Sequence, residues 1–234
     1  TVKEAIELNG ATFPHHIYLS PDKTTMAVAI TSTDLSGGHG GHTGGTGGYK
    51  VLIIDAVKGI IHHEIALAKL PHNAVYSPNG EEIWVSQYDE VKSSINVYKA
   101  TDYSLLTAII VGKGLSETTF SVDGSKVFAA NTLDSSVSVI NATTKEVEKT
   151  IAVGKGPVGA WPGMNGYMYV DNETDKTITE IKVSDLSKTD TISLGFKPGY
   201  VAFYHHTDEL WVSDATNGKV VYYTLQNNNW IKAG

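Results

Sequence analysis

The chain has 234 residues and a mass of 25.1 kDa, with 18 basic against 25 acidic side chains and a formal net charge of −7. Every basic residue is Lys, so the guanidinium fork that suits phosphate and guanine is missing, and no nucleic-acid partner is expected. No run approaches the roughly 18 apolar residues of a membrane span, and the lack of cysteine removes disulfides, thiolate metal sites, Cys nucleophiles and Cys-tethered haem.

In chain order, residues 2–9, VKEAIELN, predict an outer strand, and without the apolar core of a secretory signal the N-terminus reads as a trimmed start. A repeating unit follows. Its copies open at Pro14, Pro71, Leu115, Pro157 and Pro198, with spacings of 57, 44, 42 and 41 residues. The first three contain ATFPHHIYLSPDK, LPHNAVYSPNGEE and GLSETTFSVDGSK. Each continues into β-rich runs: MAVAIT, IWVSQY and VFAANT, then VLIID, INVYK and VSVIN, then HHEIALA, LLTAIIVG and VEKTIAVG. The runs are short, β-branched and aromatic, bounded by Gly, Asn, Asp and Pro, with no helical periodicity. Two looser copies close the chain. Four strands per 40–45 residues match one blade of a propeller.

The proline opening, the S-P-D-G-like turns, the V-x-V-I-D-like third strand and the T-I-x-V-G-like fourth resemble the YVTN-type β-propeller repeat of surface-layer-like proteins. The resemblance covers the whole chain, most closely in the first three copies. The implied fold is all-β: a β-propeller of four-stranded blades, five full repeats plus the N-terminal outer strand, in an intact ring of five to seven blades. Residues 1–234 form one propeller domain on this reading, either a piece of a larger ring or a ring closed by five blades. A periplasmic or extracellular location is implied by the resemblance, and the lack of cysteine agrees with it.

The nine histidines are clustered. In a blade, the start of strand one and the loop between strands two and three lie on one face, here the mouth of the central channel. His15 and His72 occupy equivalent strand-one positions, His16 stands beside His15, and Glu117 matches His16. The long first spacing comes from an insertion between strands two and three of the first unit, TDLSGGHGGHTGGTGGY over residues 33–49, which brings His39 and His42 to the same face. Imidazoles suit copper and zinc, and glycine lets the arm fold back because positive φ costs it nothing. The candidate metal site is therefore His15, His72, His39 and His42, completed by His16 or Glu117, holding a copper or zinc ion for sequestration, delivery or redox association. It resembles, in architecture only, the propellers of nitrous-oxide reductase, where channel-mouth histidines hold the cofactor.

Plainer readings stand beside this one. A His at a strand start is commonly a hydrogen-bonding rim residue, a Gly-rich insertion is commonly a linker, and adjacent strand residues such as His15 and His16 should face opposite sides. A scaffold without metal, offering its mouth face to a partner protein, is the alternative; a lactonase-like small-molecule hydrolase or redox enzyme is the third. His62-His63 and His205-His206 fall on the opposite face as surface residues. Asp89, Asp134 and Asp175 read as turn residues, Trp84, Trp161 and Trp211 as packing between blades, and Asn141 and Asn172 as matches to the glycosylation pattern.

Overall fold

The structure, a computed structural model, describes residues 5–35, 48–214, 216–227 and 229–234. These are all-β: five four-stranded antiparallel sheets, each in simple up-and-down order, the arrangement of propeller blades. Blade 1 comprises β1 (Pro14–Leu19), β2 (Thr25–Ile30), β3 (Lys50–Asp55) and β4 (Ile60–Ala66). Blade 2 comprises β5 (Ala74–Tyr76), β6 (Glu82–Gln87), β7 (Ser94–Lys99) and β8 (Leu105–Ile110). Blade 3 comprises β9 (Leu115–Phe120), β10 (Lys126–Asn131), β11 (Ser136–Asn141) and β12 (Val147–Ala152). Blade 4 comprises β13 (Pro157–Pro162), β14 (Tyr167–Asn172), β15 (Thr177–Lys182) and β16 (Ser187–Ser193), and blade 5 comprises β17 (Pro198–Tyr204), β18 (Glu209–Asp214), β19 (Lys219–Gln226) and β20 (Asn229–Lys232).

The repeated turn between strands one and two has a chemical basis. Ser20, Ser77 and Ser121 each donate Oγ–H to the side-chain oxygen of Asp22, Asn79 or Asp123 at 2.6 Å. Each Oγ also accepts the N–H that opens the next strand, from Thr25, Glu82 or Lys126 at 3.0, 2.9 and 3.1 Å. These bonds close the hairpin with side-chain groups where the backbone has no partner of its own.

A second recurring bond fixes the register of the strand-one openings. Thr31, Tyr88, Thr132 and Glu173 donate N–H to the carbonyls of Phe13, Leu70, Gly114 and Gly156 at 3.2, 2.9, 3.0 and 2.9 Å. Pro14, Pro71, Leu115 and Pro157 therefore occupy one structural position, His15 matches His72, and His16 matches Glu117.

The chain forms two compact units, residues 1–110 and 111–234. In the first, Ala27, Val51, Ile53 and Ile65 of blade 1 pack on Ala74, Ile83, Val85 and Tyr98 of blade 2. In the second, Phe128, Val137, Val139 and Ile151 of blade 3 meet Ala160, Met168, Val170 and Ile181 of blade 4. Tyr169, Ile178 and Ile192 of blade 4 then meet Val201, Leu210, Val212, Val221 and Tyr223 of blade 5. Alternation along each strand gives every blade two apolar faces, one for each neighbour.

The N-terminal expectation is corrected. Residues 5–9, the described part of the anticipated outer strand, form no strand. Blade 1 already has its fourth strand in β4, so Ile6, Leu8 and Ala11 lie across its outward face instead, on Val28, Ile30, Leu52 and Ile54. The segment satisfies apolar surface rather than an edge.

Candidate functional site at the strand-one bulges

Blades 1, 3, 4 and 5 share one backbone device. Register shifts interrupt strand one between Pro14 and Ile17, between Pro157 and Ala160, and between Pro198 and Val201; in blade 3 the shift falls opposite Ala129–Asn131. A bulge turns consecutive side chains away from strict alternation and is a common way to aim residues at a site. The positions inside it are His15-His16, Ser116-Glu117, Val158-Gly159 and Gly199-Tyr200.

In the first unit the bulge overturns the expectation that His15 and His16 face opposite sides. Their ring centroids lie 4.4 Å apart. His15 and His72 meet edge to face at 5.2 Å, and His16 stacks on Tyr18 at 6.0 Å. His72 is buried, its N–H and that of Asn73 both received by Ser86 Oγ at 3.0 and 2.9 Å. His15 donates Nδ1–H to the His72 carbonyl at 3.0 Å.

His39 and His42 lie outside the described residues. Glu117 belongs to the second unit, where it is buried on β9. Among the described residues no group of three or more His, Cys, Asp or Glu is arranged to hold a metal ion.

In the second unit the centre is a carboxyl that the sequence reading did not single out. Asp171 on β14 is fully buried, and its Oδ1 accepts the Gly159 N–H at 2.9 Å and the Trp161 indole N–H at 2.8 Å. Its Oδ2 has no hydrogen-bond partner among the described residues. Burial pushes the Asp171 carboxyl well above its ordinary range; the Trp161 bond opposes this and the nearby Glu117 carboxylate adds to it. Glycine is required at 159, because a Cβ there would stand 2.5 Å from Trp161 Cζ2. The anchored indole supports Tyr200, whose ring lies 4.1 Å away and is 52% exposed. Tyr200 occupies the register of His16 and Glu117, so the positional logic that selected those two could have found it. Asp171 was legible only as a carboxylate inside the apolar run YMYVD.

The loop aspartates do the turn work expected of them, with added reach. Asp134 and Asp175 accept the backbone N–H of Lys113 and Lys155 from the preceding blade connection at 2.7 and 2.8 Å. Asp89 caps Val91 and Lys92 at 2.8 Å each and pairs with Lys69 at 2.6 Å, which together hold its carboxyl at about 2. His62, His63, His205 and His206 are exposed, as anticipated, and His63 stacks on Tyr103 at 4.3 Å. Asn172 is buried and donates to Thr177 and Thr179 Oγ1, which places its amide out of reach of a glycan. Trp84 is fully buried and Trp161 packs in the core between blades 4 and 5, as expected; Trp211 does not, and is 38% exposed. On the opposite face, a groove of about 670 Å³ between blades 3 and 4 is lined by Asp123, Lys126, Met164, Asn165 and Lys182.

No protein-family model matches the chain, and no curated protein matches it in sequence. Many solved structures share the fold. A hydrazine synthase from Kuenenia stuttgartiensis is 17% identical with a TM-score of 0.68, over 97% of this chain and 60% of that one. The periplasmic gluconolactonase PpgL of Pseudomonas aeruginosa is 16% identical with a TM-score of 0.73, over 100% of this chain and 75% of that one. The Swd1 β-propeller domain of Myceliophteria thermophila is 14% identical with a TM-score of 0.68, over 92% and 70%. At these identities the likeness establishes the β-propeller fold alone. The chain spans 60% of the hydrazine synthase chain it matches.

Proposed function

We propose that this chain is a binding propeller, exported, whose strand-one bulges in blades 3 to 5 offer an interaction face to a partner protein. The observation that supports it is Tyr200: a half-exposed phenol on a buried indole that is itself fixed by Asp171 and by the slot at Gly159. A rigid aromatic with a polar tip on an immobile base loses little freedom on binding, which is the anatomy of an interface anchor. The YVTN-like repeat and the absence of cysteine agree with an extracellular or periplasmic scaffold.

The test offers periplasmic and extracellular fractions to immobilised wild-type and Tyr200→Ala chains. The reading expects a protein retained by the wild type and bound about 30-fold or more weakly by the variant, the loss typical of an anchor residue. Equal retention by both overturns it.

A second reading, a copper or zinc site, is favoured by one observation. His15 donates Nδ1–H to a backbone carbonyl, the outer-shell arrangement typical of metal-bound imidazole. It needs His39 and His42 in addition. Titration with Cu(II) and Zn(II) separates the readings: a metal scaffold binds one equivalent, loses it in His15→Ala/His72→Ala, and weakens as pH falls through about 6.5. No binding removes it.

A further inference from the structure

Blades 1 and 2, and again blades 3 and 4, leave a groove beside the turns that join strand one to strand two. Between blades 1 and 2 it holds about 300 Å³. Between blades 3 and 4, inside the second compact unit, it holds about 670 Å³. Backbone bonds put the two grooves in register. Gly80 and Gly166 donate N–H to the carbonyls of Ser77 and Gly163 at 2.8 and 3.2 Å, and Tyr103 and Leu186 donate to those of Lys99 and Lys182 at 3.0 and 2.9 Å. Tyr76 therefore corresponds to Pro162, and Tyr103 to Leu186.

This pair of exchanges opens the larger groove. Tyr76 and Tyr103 both line the small one, and Tyr76 reaches across to blade 1, where its hydroxyl bonds Thr25 Oγ1 at 2.9 Å. Pro162 and Leu186 do not line the large one, and Leu186 packs on the core of blades 3 and 4 instead. The space the two rings would fill is left with an apolar side and a cationic side. Val122 and Met164, 51% and 61% exposed, form the apolar wall with Tyr167. Lys126 and Lys182 carry the positive charge. The Asp123 carboxylate is occupied within its own turn, Oδ1 by Ser121 Oγ and the Ser125 N–H, Oδ2 by Ser125 Oγ at 3.0 Å. Glu148 grips Lys126 with both oxygens, at 2.8 and 2.6 Å. Lys182 is held much less closely. Its Asp185 partner stands 4.0 Å away, and the other oxygen of that carboxylate already accepts the Ser187 N–H and hydroxyl at 2.9 and 2.6 Å.

We propose that the groove between blades 3 and 4 binds a small organic carboxylate, its apolar body on Val122, Met164 and Tyr167 and its anionic end on the Lys182 ammonium. The volume falls within the roughly 300–1,000 Å³ of small-molecule sites, which combine apolar walls with a few polar groups. With Lys126 neutralised by Glu148, one ammonium is left to balance one negative charge, which suits a carboxylate better than the nearly doubly charged phosphate. The site goes beyond the partner-binding reading, which concerns Tyr200 and the bulges on the other face, and either can fail alone.

The experiment titrates phenylacetate and its uncharged amide, phenylacetamide, into the isotope-labelled full chain and follows backbone amide shifts by NMR. The acid is expected to saturate with a Kd of about 1 mM or tighter and to move the amides of Ser125, Met164 and Lys182. Phenylacetamide, and phenylacetate with Lys182→Gln, should each bind about tenfold or more weakly, the loss expected of one charge-assisted hydrogen bond. Pro162→Tyr restores the ring that narrows the groove of blades 1 and 2 and should abolish binding while circular dichroism is unchanged. Should that variant misfold, Lys182→Gln, at a half-exposed position, still decides. Lack of saturation up to about 10 mM overturns the proposal. So do equal binding of acid and amide, an unaffected Lys182→Gln, shifts confined to residues outside the groove, or a folded Pro162→Tyr that binds like the wild type.

Discussion

Asp171 is a carboxyl placed where an uncharged residue would be easier to bury, and its environment pulls in two directions. Two N–H donors on Oδ1 favour the anion, while full burial, the unpartnered Oδ2 and the Glu117 carboxylate favour the acid, and burial is the largest influence. A carboxyl whose folded pKa exceeds its unfolded value contributes fully to stability below the unfolded value, near 3.9, and loses that contribution as pH rises toward the folded value. Asp171→Asn keeps the acceptor for Gly159 and Trp161 but cannot ionise. The variant should therefore gain on the wild type as pH rises from 4, by at most about 1.4 kcal/mol per pH unit. Urea unfolding of both proteins from pH 4 to 8 checks this, and parallel stability curves refute it. Asp89 shows the opposite case: a partly buried carboxylate held low by Lys69 and two backbone N–H groups, whose contribution is present at neutral pH and lost only in strong acid.

At the scale of the element, recurrence separates structural residues from candidate functional ones. The Ser-x-Asp/Asn turns and the Gly-Lys-Gly blade connections repeat with the same bonds, so their residues belong to the fold. Gly112 shows why the connection needs glycine without any unusual φ. A Cβ there would lie 2.6 Å from Cγ of Asn131, which is buried and tied to Ser136 and Ser138 at 3.1 and 3.0 Å. Gly154 stands in the same relation to Asn172, at 2.7 Å. Gly112→Ala should destabilise by about 1–3 kcal/mol, the usual cost of overpacking, read as a fall in the urea midpoint at unchanged slope. A neutral substitution would mean that Asn131 can move aside. The strand-one bulge behaves differently: its geometry recurs while its residues change from His-His to Ser-Glu, Val-Gly and Gly-Tyr. A constant backbone device with varying side chains is where binding chemistry can be written without disturbing the stack.

For the whole molecule, equivalence of position does not mean equivalence of energy. Tyr169 and Trp211 hold the same place in strand two of successive blades, but only Tyr169 has a blade packed on it. Tyr169→Ala should cost about 3–5 kcal/mol of stability, the range for a buried aromatic. Trp211→Ala in dilute solution should stay within about 1 kcal/mol, since the residue keeps much of its solvent contact. Chemical denaturation of the two variants at low concentration distinguishes them, and equal losses would show that Trp211 is covered in solution.

The sequence by itself determined the five blades, their strand boundaries and the equivalence of His15 with His72. Those follow from hydrophobic alternation, turn chemistry and spacing, which are local and repeat. It also carried the turn roles of Asp89, Asp134 and Asp175. What only the tertiary structure decided depends on residues distant in the chain. The bulge, set by pairing between strands, brings the His15 and His16 rings together. Full burial in the folded sheet leaves Asp171 Oδ2 with no hydrogen-bond partner among the described residues. Coverage decides the rest: Ile6 and Leu8 lie over a blade face rather than forming a strand, and Trp211, identical in pattern to the buried Trp84, faces solvent because no described sheet lies on it. Periodicity records which side of a strand is apolar; only packing records what, if anything, that side meets.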